Sequence, residues 1–120
     1  MDRAQIEAQL PYFTGTDNWY KHQSGLLYTD GVKFIADHAG AYWLIDLIAS
    51  YQKRCRKDRM LRQFQIWILG VERDYHRGCV SCLRDTDNLA FQQTIPFTDF
   101  PLPEITFYLE NEVLCLPSER

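Results

Sequence analysis

Cysteine, glycine and long apolar runs are all scarce in this chain of 120 residues, and each shortage excludes a class of protein. The 4 cysteines are too few and too unevenly spaced for the disulfide framework of a small secreted domain. No apolar run approaches roughly 18 residues, the length that a membrane-spanning helix needs. The first residues show no signal-peptide pattern. We therefore expect a soluble cytoplasmic protein with free thiols and no membrane partner.

Motifs of the common catalytic sites are also missing. The sequence has no glycine-rich phosphate loop, no dinucleotide-binding fingerprint and no GxSxG elbow. The 3 histidines lack the spacing of metal ligands. Asp74, His76 and Cys79 lie close in sequence, whereas catalytic groups normally converge from separate elements. We therefore predict no catalytic residue and no cofactor, and an enzyme is the third of three hypotheses.

Aromatic and aliphatic residues are plentiful enough for a folded domain. Hydrophobic residues make up 46% of the chain and aromatic residues 14%. A chain of this length buries roughly two-thirds of its unfolded surface. No internal repeat or low-complexity linker divides the sequence. Residues 1–120 are therefore predicted to form a single domain.

Helix signals are confined to the first half of the chain. Residues 2–5 form a capping-box pattern that begins a short helix. Thr29 or Asp30 begins a second helix, which ends near Gly40. Residues 41–54 then carry an apolar stripe at helical spacing, which predicts the central core helix.

Strand signals dominate the second half. Apolar residues alternate in about four segments, which are residues 64–71, 79–83, 89–97 and 105–109. A turn at 85–88 joins two of them, and Pro96 places the end of one at a sheet edge or a bulge. The arm over 13–31 could add a hairpin that turns at 23–25. These signals predict an α+β fold, in which N-terminal helices pack on an antiparallel, mostly meander β-sheet.

Positive charge is concentrated in one segment, residues 53–62. Six basic residues stand there against one acid, Asp58, and they are Lys53, Arg54, Arg56, Lys57, Arg59 and Arg62. The segment therefore carries a net charge of +5, and because the whole chain carries -3, the remainder carries -8. Such a corner could bind the phosphates of a nucleic acid. Alternatively, the cations complement a helix C-terminus and are solvated.

A CxxC pair offers a weaker hypothesis, a zinc site with a histidine nearby. Cys79 and Cys82 have the spacing of a zinc knuckle, and His76 lies three residues upstream. On a regular strand, however, positions three apart point to opposite faces. We therefore favour structural thiols, one buried and one nearer solvent, and predict no metal.

Asp46 interrupts the apolar run of the predicted core helix. A carboxylate there is costly unless it faces water or has a partner. One interpretation places Asp46 on the exposed side of the helix. The other is a buried carboxylate beside His22 or His38.

Several longer segments resemble a known family. These segments are FTGTDNWY at 13–20, YTDGVKFIADHAGAYWLIDLIASYQ at 28–52, FQIW at 64–67 and TDFPLPEITFYLENEVLCLPSE at 98–119. With them the sequence is similar to a domain-of-unknown-function family of short bacterial proteins that also occur in phages and mobile elements. The resemblance implies no activity, cofactor or catalytic residue. It favours accessory roles, such as proteins that inhibit or adapt a host complex, including anti-defence proteins.

The leading hypothesis is a non-enzymatic protein-interaction module, an inhibitor or adaptor for an unidentified protein partner. It would act as a monomer or small homo-oligomer. Aromatic residues in segments with an exposed side are the candidate anchors, namely Trp19, Tyr20, Trp67, Tyr75, Phe100 and Tyr108. Core packing is the alternative for each. The second hypothesis is a nucleic-acid-binding accessory protein that uses residues 53–62.

Overall fold

The computed structural model describes residues 1–120 and consists of four α-helices and one seven-stranded sheet. The helices are α1 (Arg3–Gln9), α2 (Asp30–His38), α3 (Tyr42–Ser50) and α4 (Gln52–Cys55). The strands are β1 (Trp19–Lys21), β2 (Leu27–Thr29), β3 (Phe64–Glu72), β4 (Arg77–Asp85), β5 (Asn88–Ile95), β6 (Glu104–Glu110) and β7 (Val113–Cys115). Short 3-10 helices lie at Leu10–Tyr12, Arg73–Tyr75 and Pro117–Glu119. The predicted α+β class is confirmed. None of the helices has the length and apolarity to cross a membrane.

The sheet is mostly antiparallel, but it is only in part the predicted meander. Its strand order is β1-β2-β7-β6-β3-β4-β5, so β3, β4 and β5 follow one another while β6 returns to the far side of β3. β2 and β7 run parallel, with Leu27 opposite Val113. The helices also do not all precede the strands, because the β1–β2 hairpin lies before α2. The prediction of an antiparallel, mostly meander sheet is therefore confirmed only in part: β3, β4 and β5 form an antiparallel meander, but the parallel β2–β7 pair was not predicted, because alternation within a strand carries no information about its neighbour.

Local sequence patterns correctly predicted where α1 and α2 begin. The Asp2 carboxylate accepts from the Gln5 backbone N–H at 2.9 Å, and the Gln5 side chain accepts from the Asp2 N–H at 2.9 Å. Thr29 caps α2 by accepting from the Val32 N–H. Gly40 follows α2 with φ +62, a left-handed conformation that suits glycine. Both predicted helix starts are therefore confirmed.

The predicted core helix over residues 41–54 is divided in two. α3 ends at Ser50 and α4 begins at Gln52, with Tyr51 between them. The Tyr51 ring lies 5.9 Å from the Trp67 ring on β3. The core-facing side of β3 therefore packs on the junction of the two helices. This side carries part of a cluster of 24 buried residues.

The C-terminus is joined to the start of α2 by one carboxylate. Glu119 accepts from the Thr29 hydroxyl at 2.6 Å, from the Gly31 N–H at 3.0 Å and from the Leu116 N–H at 2.9 Å. A Cβ at Gly31 would lie 2.5 Å from Glu119 Oε1, so this position has no room for a side chain. The chain ends are thereby held against the helical layer.

Candidate functional site

The basic segment forms an exposed corner where the helical layer ends. α4 carries its first residues, and Cys55 and Leu61 anchor the segment in the core. Asp58, the one acid of the segment, accepts from the Leu61 N–H at 3.1 Å and from the Arg84 guanidinium at 2.8 Å. The Leu61 N–H and then the Arg84 charge lower the pKa of Asp58. Because Asp58 is engaged in this way, it does not pair with the cations around it.

All six predicted cations are exposed, and none has a carboxylate within 4.0 Å. We call these residues the cationic corner, which consists of Lys53, Arg54, Arg56, Lys57, Arg59 and Arg62. The Arg54 guanidinium also lies 4.3 Å from the centre of the Phe91 ring on β5. A group of unpaired cations can receive anionic groups without first breaking ion pairs.

A cavity of about 470 Å³ opens beside the cationic corner. Lys53, Arg56 and Arg62 line it together with the turns at residues 24–26 and 111–112. The structure therefore brings three of the six predicted cations to one concave surface. The other three lie outside its lining.

The floor of this cavity is held by a closed set of hydrogen bonds. The side-chain amides of Gln52 and Gln65 bond to each other in both directions, at 3.0 and 2.9 Å. Gln65 also donates to the Leu61 carbonyl and accepts from the Trp67 indole N–H at 2.8 Å. Gln65 is only 4% exposed. Because each partner is satisfied, the floor is rigid and its amides are not available to a ligand.

The hairpin turn lines the cavity with Ser24, whose side chain contacts a histidine that in turn contacts a carboxylate. His22 Nε2 lies 2.7 Å from Asp46 Oδ1, and His22 Nδ1 lies 2.8 Å from Ser24 Oγ. The Asp46 side chain is 66% exposed, so it lies on the exposed side of α3 and also contacts His22. The first interpretation is therefore right that Asp46 is exposed, and the second is right that it contacts His22 but wrong that it is buried. The sequence did not identify Ser24 as a site residue, because only the fold places it in the same cavity lining as residues of α3 and α4.

The turn between β6 and β7 lies beside the hairpin turn, where the Leu27 N–H donates to the Glu112 carbonyl at 3.0 Å, and its backbone has an unusual conformation. Asn111 and Glu112 have φ +54 and +63, both in the left-handed region. Asparagine tolerates this region, but a glutamate there costs about 1 kcal/mol relative to glycine. Glu112 nevertheless lines the cavity and is the one carboxylate in its lining.

A second exposed surface lies at the end of the sheet where β3 turns into β4. We call it the aromatic end, and it consists of Tyr75, His76, Arg77 and Phe97. Tyr75 is 68% exposed and Phe97 is 67% exposed. The His76 ring stacks at 5.9 Å on Phe97, and the Arg77 guanidinium lies 4.8 Å from the centre of the Tyr75 ring. Sequence reasoning named Tyr75 but not Phe97, which follows Pro96 beyond the end of β5.

The remaining predicted anchors divide into exposed and buried groups. Trp19 is 56% exposed, while Tyr20 and Tyr108 are half-buried. Trp67 is only 2% exposed and Phe100 only 3%, so their selection as exposed anchors was wrong. Trp67 lies on the side of β3 that packs on the helices. Phe100 is in the bend before β6, where its N–H donates to the Thr98 hydroxyl.

The CxxC pair is spread over two faces of β4. Cys82 is fully buried, whereas Cys79 is half-buried on the opposite side. All four cysteines are free. A hydrogen bond with Cys55, together with burial, raises the pKa of Cys82. His76 bonds to Asp99 instead, at 3.1 Å. No group of three or more His, Cys, Asp or Glu side chains could hold a metal ion, so the alternative zinc set of His76, Cys79 and Cys82 does not come together.

Two of the segments that resemble a family, residues 13–20 and 28–52, meet at the start of α2. Asp30 accepts from the backbone N–H groups of Asp17 and Asn18, at 3.0 and 3.3 Å, and from the Tyr20 hydroxyl at 2.9 Å. The Asp17 N–H makes the largest contribution to lowering the pKa of Asp30. Thr16 in turn accepts from the Asp30 N–H at 2.9 Å. These residues lock the N-terminal arm onto α2, so their role here is structural.

Comparisons with known proteins show the family of this chain but indicate no activity. The searches of the curated proteins and of the solved structures each gave no match. A family profile described as "Family of unknown function (DUF6876)" matches residues 4–120. Since the match covers nearly the whole chain, this protein belongs to the DUF6876 family.

Proposed function

We propose that this protein is a non-enzymatic protein-interaction module that binds its partner through the aromatic end. The observation that carries the proposal is the exposure of Tyr75 and Phe97, each about two-thirds open to solvent at one end of the sheet. Two large rings in this state are costly to leave in water and gain when a partner covers them. Tyrosine and arginine are also enriched among residues that dominate binding.

The composition of the aromatic end suits a protein partner. Arg77 lies against Tyr75 and is bonded to Glu72 at 3.1 Å, so it is already ordered before binding. His76 is stacked on Phe97 and bonded to Asp99. Preordered side chains lose less entropy when they are covered. Mixed charges around an apolar centre are the usual arrangement of a protein interface.

The wider role is part of the same proposal and is supported by the family resemblance. The protein would act in the cytoplasm as an inhibitor or adaptor encoded by phage or mobile DNA, with anti-defence as one such role. It would work as a monomer or small homo-oligomer.

The test compares two matched double variants. Tyr75→Ser with Phe97→Ser removes the aromatic end, and Tyr12→Ser with Leu89→Ser removes exposed apolar residues elsewhere, 79% and 48% exposed. Proteins captured from the native host are identified by mass spectrometry, and the dissociation constant is then measured with the purified partner. We expect the first variant to weaken binding by roughly 30-fold or more and the second by less than about 3-fold. Unchanged binding by the first variant would contradict the proposal.

A second candidate function, nucleic-acid binding, is favoured by the cationic corner. Its six cations are exposed and have no carboxylate partner. Phosphate contacts of this kind require no base-reading motif. The corner lies away from the aromatic end, so the two candidates can be tested separately.

This candidate is tested by charge reversal with a control of equal charge. Lys53→Glu, Arg56→Glu and Arg59→Glu are changed together, and the control is Arg3→Glu, Lys21→Glu and Arg73→Glu, which are exposed and lie outside both candidate surfaces. Fluorescence anisotropy measures affinity for DNA and RNA across a salt series. We expect the first variant to reduce the slope of log K against log salt by about 3, and the control to reduce it by much less. Equal effects of the two variants would reject the corner as the binding surface.

A further inference from the structure

The cavity beside the cationic corner has the features of a small-molecule site. We propose that it binds a phosphorylated ribose unit, with the phosphate against Arg56 and Arg62 and the ribose hydroxyls at Glu112. This proposal does not depend on the protein-interaction function. It also differs from general nucleic-acid binding, because it concerns one small molecule in a cavity rather than a strand on the surface.

Charge is the first observation that supports this ligand. Three cations and one carboxylate line the cavity, so its lining carries a net charge of +2 on a protein of net charge -3. No carboxylate lies within 4.0 Å of Lys53, Arg56 or Arg62. A concave wall concentrates such a field on an entering anion. Two guanidinium groups can each bind a phosphate through two parallel hydrogen bonds.

Size and shape are the second observation. The volume of about 470 Å³ lies within the range of roughly 300–1,000 Å³ that is usual for small-molecule sites. The lining combines an apolar part, Leu26, Leu61 and Leu109, with polar groups at the rim. The hydrogen-bonded pair of Gln52 and Gln65 keeps the floor in one shape. The cavity is therefore formed before the ligand enters.

The β6–β7 turn supplies the third observation. Glu112 occupies a left-handed position, φ +63, at which glycine would be more stable. A two-residue hairpin requires positive φ at both of its positions, so the turn holds the Glu112 backbone in a fixed place beside the cavity. The Glu112 carboxylate would repel phosphate but accepts hydrogen bonds from hydroxyl groups. The cations and the carboxylate of the lining therefore suit the two ends of a sugar phosphate.

The hairpin turn adds an ordered hydroxyl on the same side as Glu112. Ser24 Oγ accepts from the Leu26 N–H at 3.3 Å and lies 2.8 Å from His22 Nδ1. His22 is itself held by Asp46. These contacts fix the Ser24 side chain at the cavity wall, where its oxygen can accept a further hydrogen bond.

The experiment is calorimetric titration of the full chain with four probes: ribose 5-phosphate, adenosine monophosphate, inorganic phosphate and ribose. We expect the two phosphorylated sugars to bind at about 1 mM or below and ribose to bind at least about 30-fold more weakly. Arg56→Gln with Arg62→Gln should weaken the phosphorylated sugars by about 30-fold or more, since each charged hydrogen bond contributes roughly tenfold. The control, Lys21→Gln with Arg73→Gln, changes exposed cations outside the lining and outside the cationic corner and should have an effect below about 3-fold.

Glu112→Gln separates the roles of the cations and of the carboxylate. It should weaken ribose 5-phosphate, which loses the acceptor for its hydroxyl groups, but strengthen inorganic phosphate, because the negative charge that repels it is removed. A change of the same sign and size for both probes would overturn the assignment of Glu112 to the ribose hydroxyls. Circular dichroism spectra of all variants, compared with the wild type, show that each is folded.

A final comparison distinguishes a phosphate at a strand end from the phosphate of a free nucleotide. A short oligonucleotide with a terminal phosphate is compared with the same oligonucleotide without it. Preference for the phosphorylated form, lost in Arg56→Gln with Arg62→Gln, assigns the cavity to strand ends, and binding of adenosine monophosphate assigns it to free nucleotides. Failure of all phosphorylated sugars and of the terminal phosphate would overturn the cavity site. Salt-sensitive binding of the unphosphorylated strand would still leave the second candidate function standing.

Discussion

Removal of the Glu119 carboxylate is expected to destabilise the whole protein, because this group links the C-terminus to α2. It accepts three hydrogen bonds, from the Thr29 hydroxyl, the Gly31 N–H and the Leu116 N–H, at 2.6, 3.0 and 2.9 Å. Thr29 is only 3% exposed, so its hydroxyl would lose its partner inside the protein. The carboxylate also lies at the N-terminus of α2, where negative charge is favourable.

The magnitude follows from these contacts. A hydrogen bond to a charged group contributes about 1.5–3 kcal/mol, but bonds that share one acceptor are not additive. Helix-terminal charge adds about 0.3–1 kcal/mol. We therefore expect Glu119→Ala to lower the free energy of unfolding by about 3–4 kcal/mol. Glu119→Gln keeps one acceptor oxygen but places an amide N–H₂ group opposite the Gly31 N–H, so it should cost about 2 kcal/mol.

Urea unfolding followed by far-UV circular dichroism measures this loss. In a separate thermal unfolding experiment, the melting temperature of Glu119→Ala should lie about 10–20 °C below that of the wild type for a chain of this size. Glu104→Ala is the matched control, because Glu104 is exposed on β6 and should change stability by less than about 0.5 kcal/mol. If Glu119→Ala is no less stable than this control, the carboxylate does not hold the C-terminus.

Three further predictions concern the turn, the N-terminal lock and the core. Glu112→Gly should raise the free energy of unfolding by about 0.5–1 kcal/mol, because glycine adopts φ +63 without strain; a lower melting temperature would contradict this. The Asp17 N–H makes the largest contribution to lowering the pKa of Asp30 in the folded protein below its ordinary value of 3.8. The ionised Asp30 therefore stabilises the folded state above pH 3.8, and this stabilisation is lost as the pH falls through the lowered pKa. Urea unfolding between about pH 2 and 5 should therefore show a smaller pH dependence in Asp30→Asn than in the wild type, and equal slopes would refute the role of Asp30. Trp67→Phe should cost about 2–3 kcal/mol by chemical unfolding, since it removes buried volume and the 2.8 Å indole bond to Gln65; a loss below about 0.5 kcal/mol would show that the floor does not depend on the indole.

The sequence by itself determined the features that depend on neighbours within a few residues. Asp2 caps α1 with Gln5, and Thr29 caps α2 through Val32, as the local patterns predicted. Alternation beyond Leu61 predicted strands, and Pro96 correctly predicted the end of an edge strand. The sequence also determined that positive charge is concentrated in residues 53–62. These signals are readable because backbone caps, side-chain periodicity and proline act through local geometry.

Only the tertiary structure decided which faces and which distant residues meet. Both sides of β3 are apolar, so alternation could not show that Trp67 faces the helices while Ile66 lies on the other face. The parallel β2–β7 pair joins segments more than eighty residues apart, with Tyr28 opposite Leu114. The cavity likewise brings Arg56 to Glu112. Contacts of this kind arise from packing of the whole chain, since the free energy of burying apolar surface depends on how elements come together and not on their order in sequence.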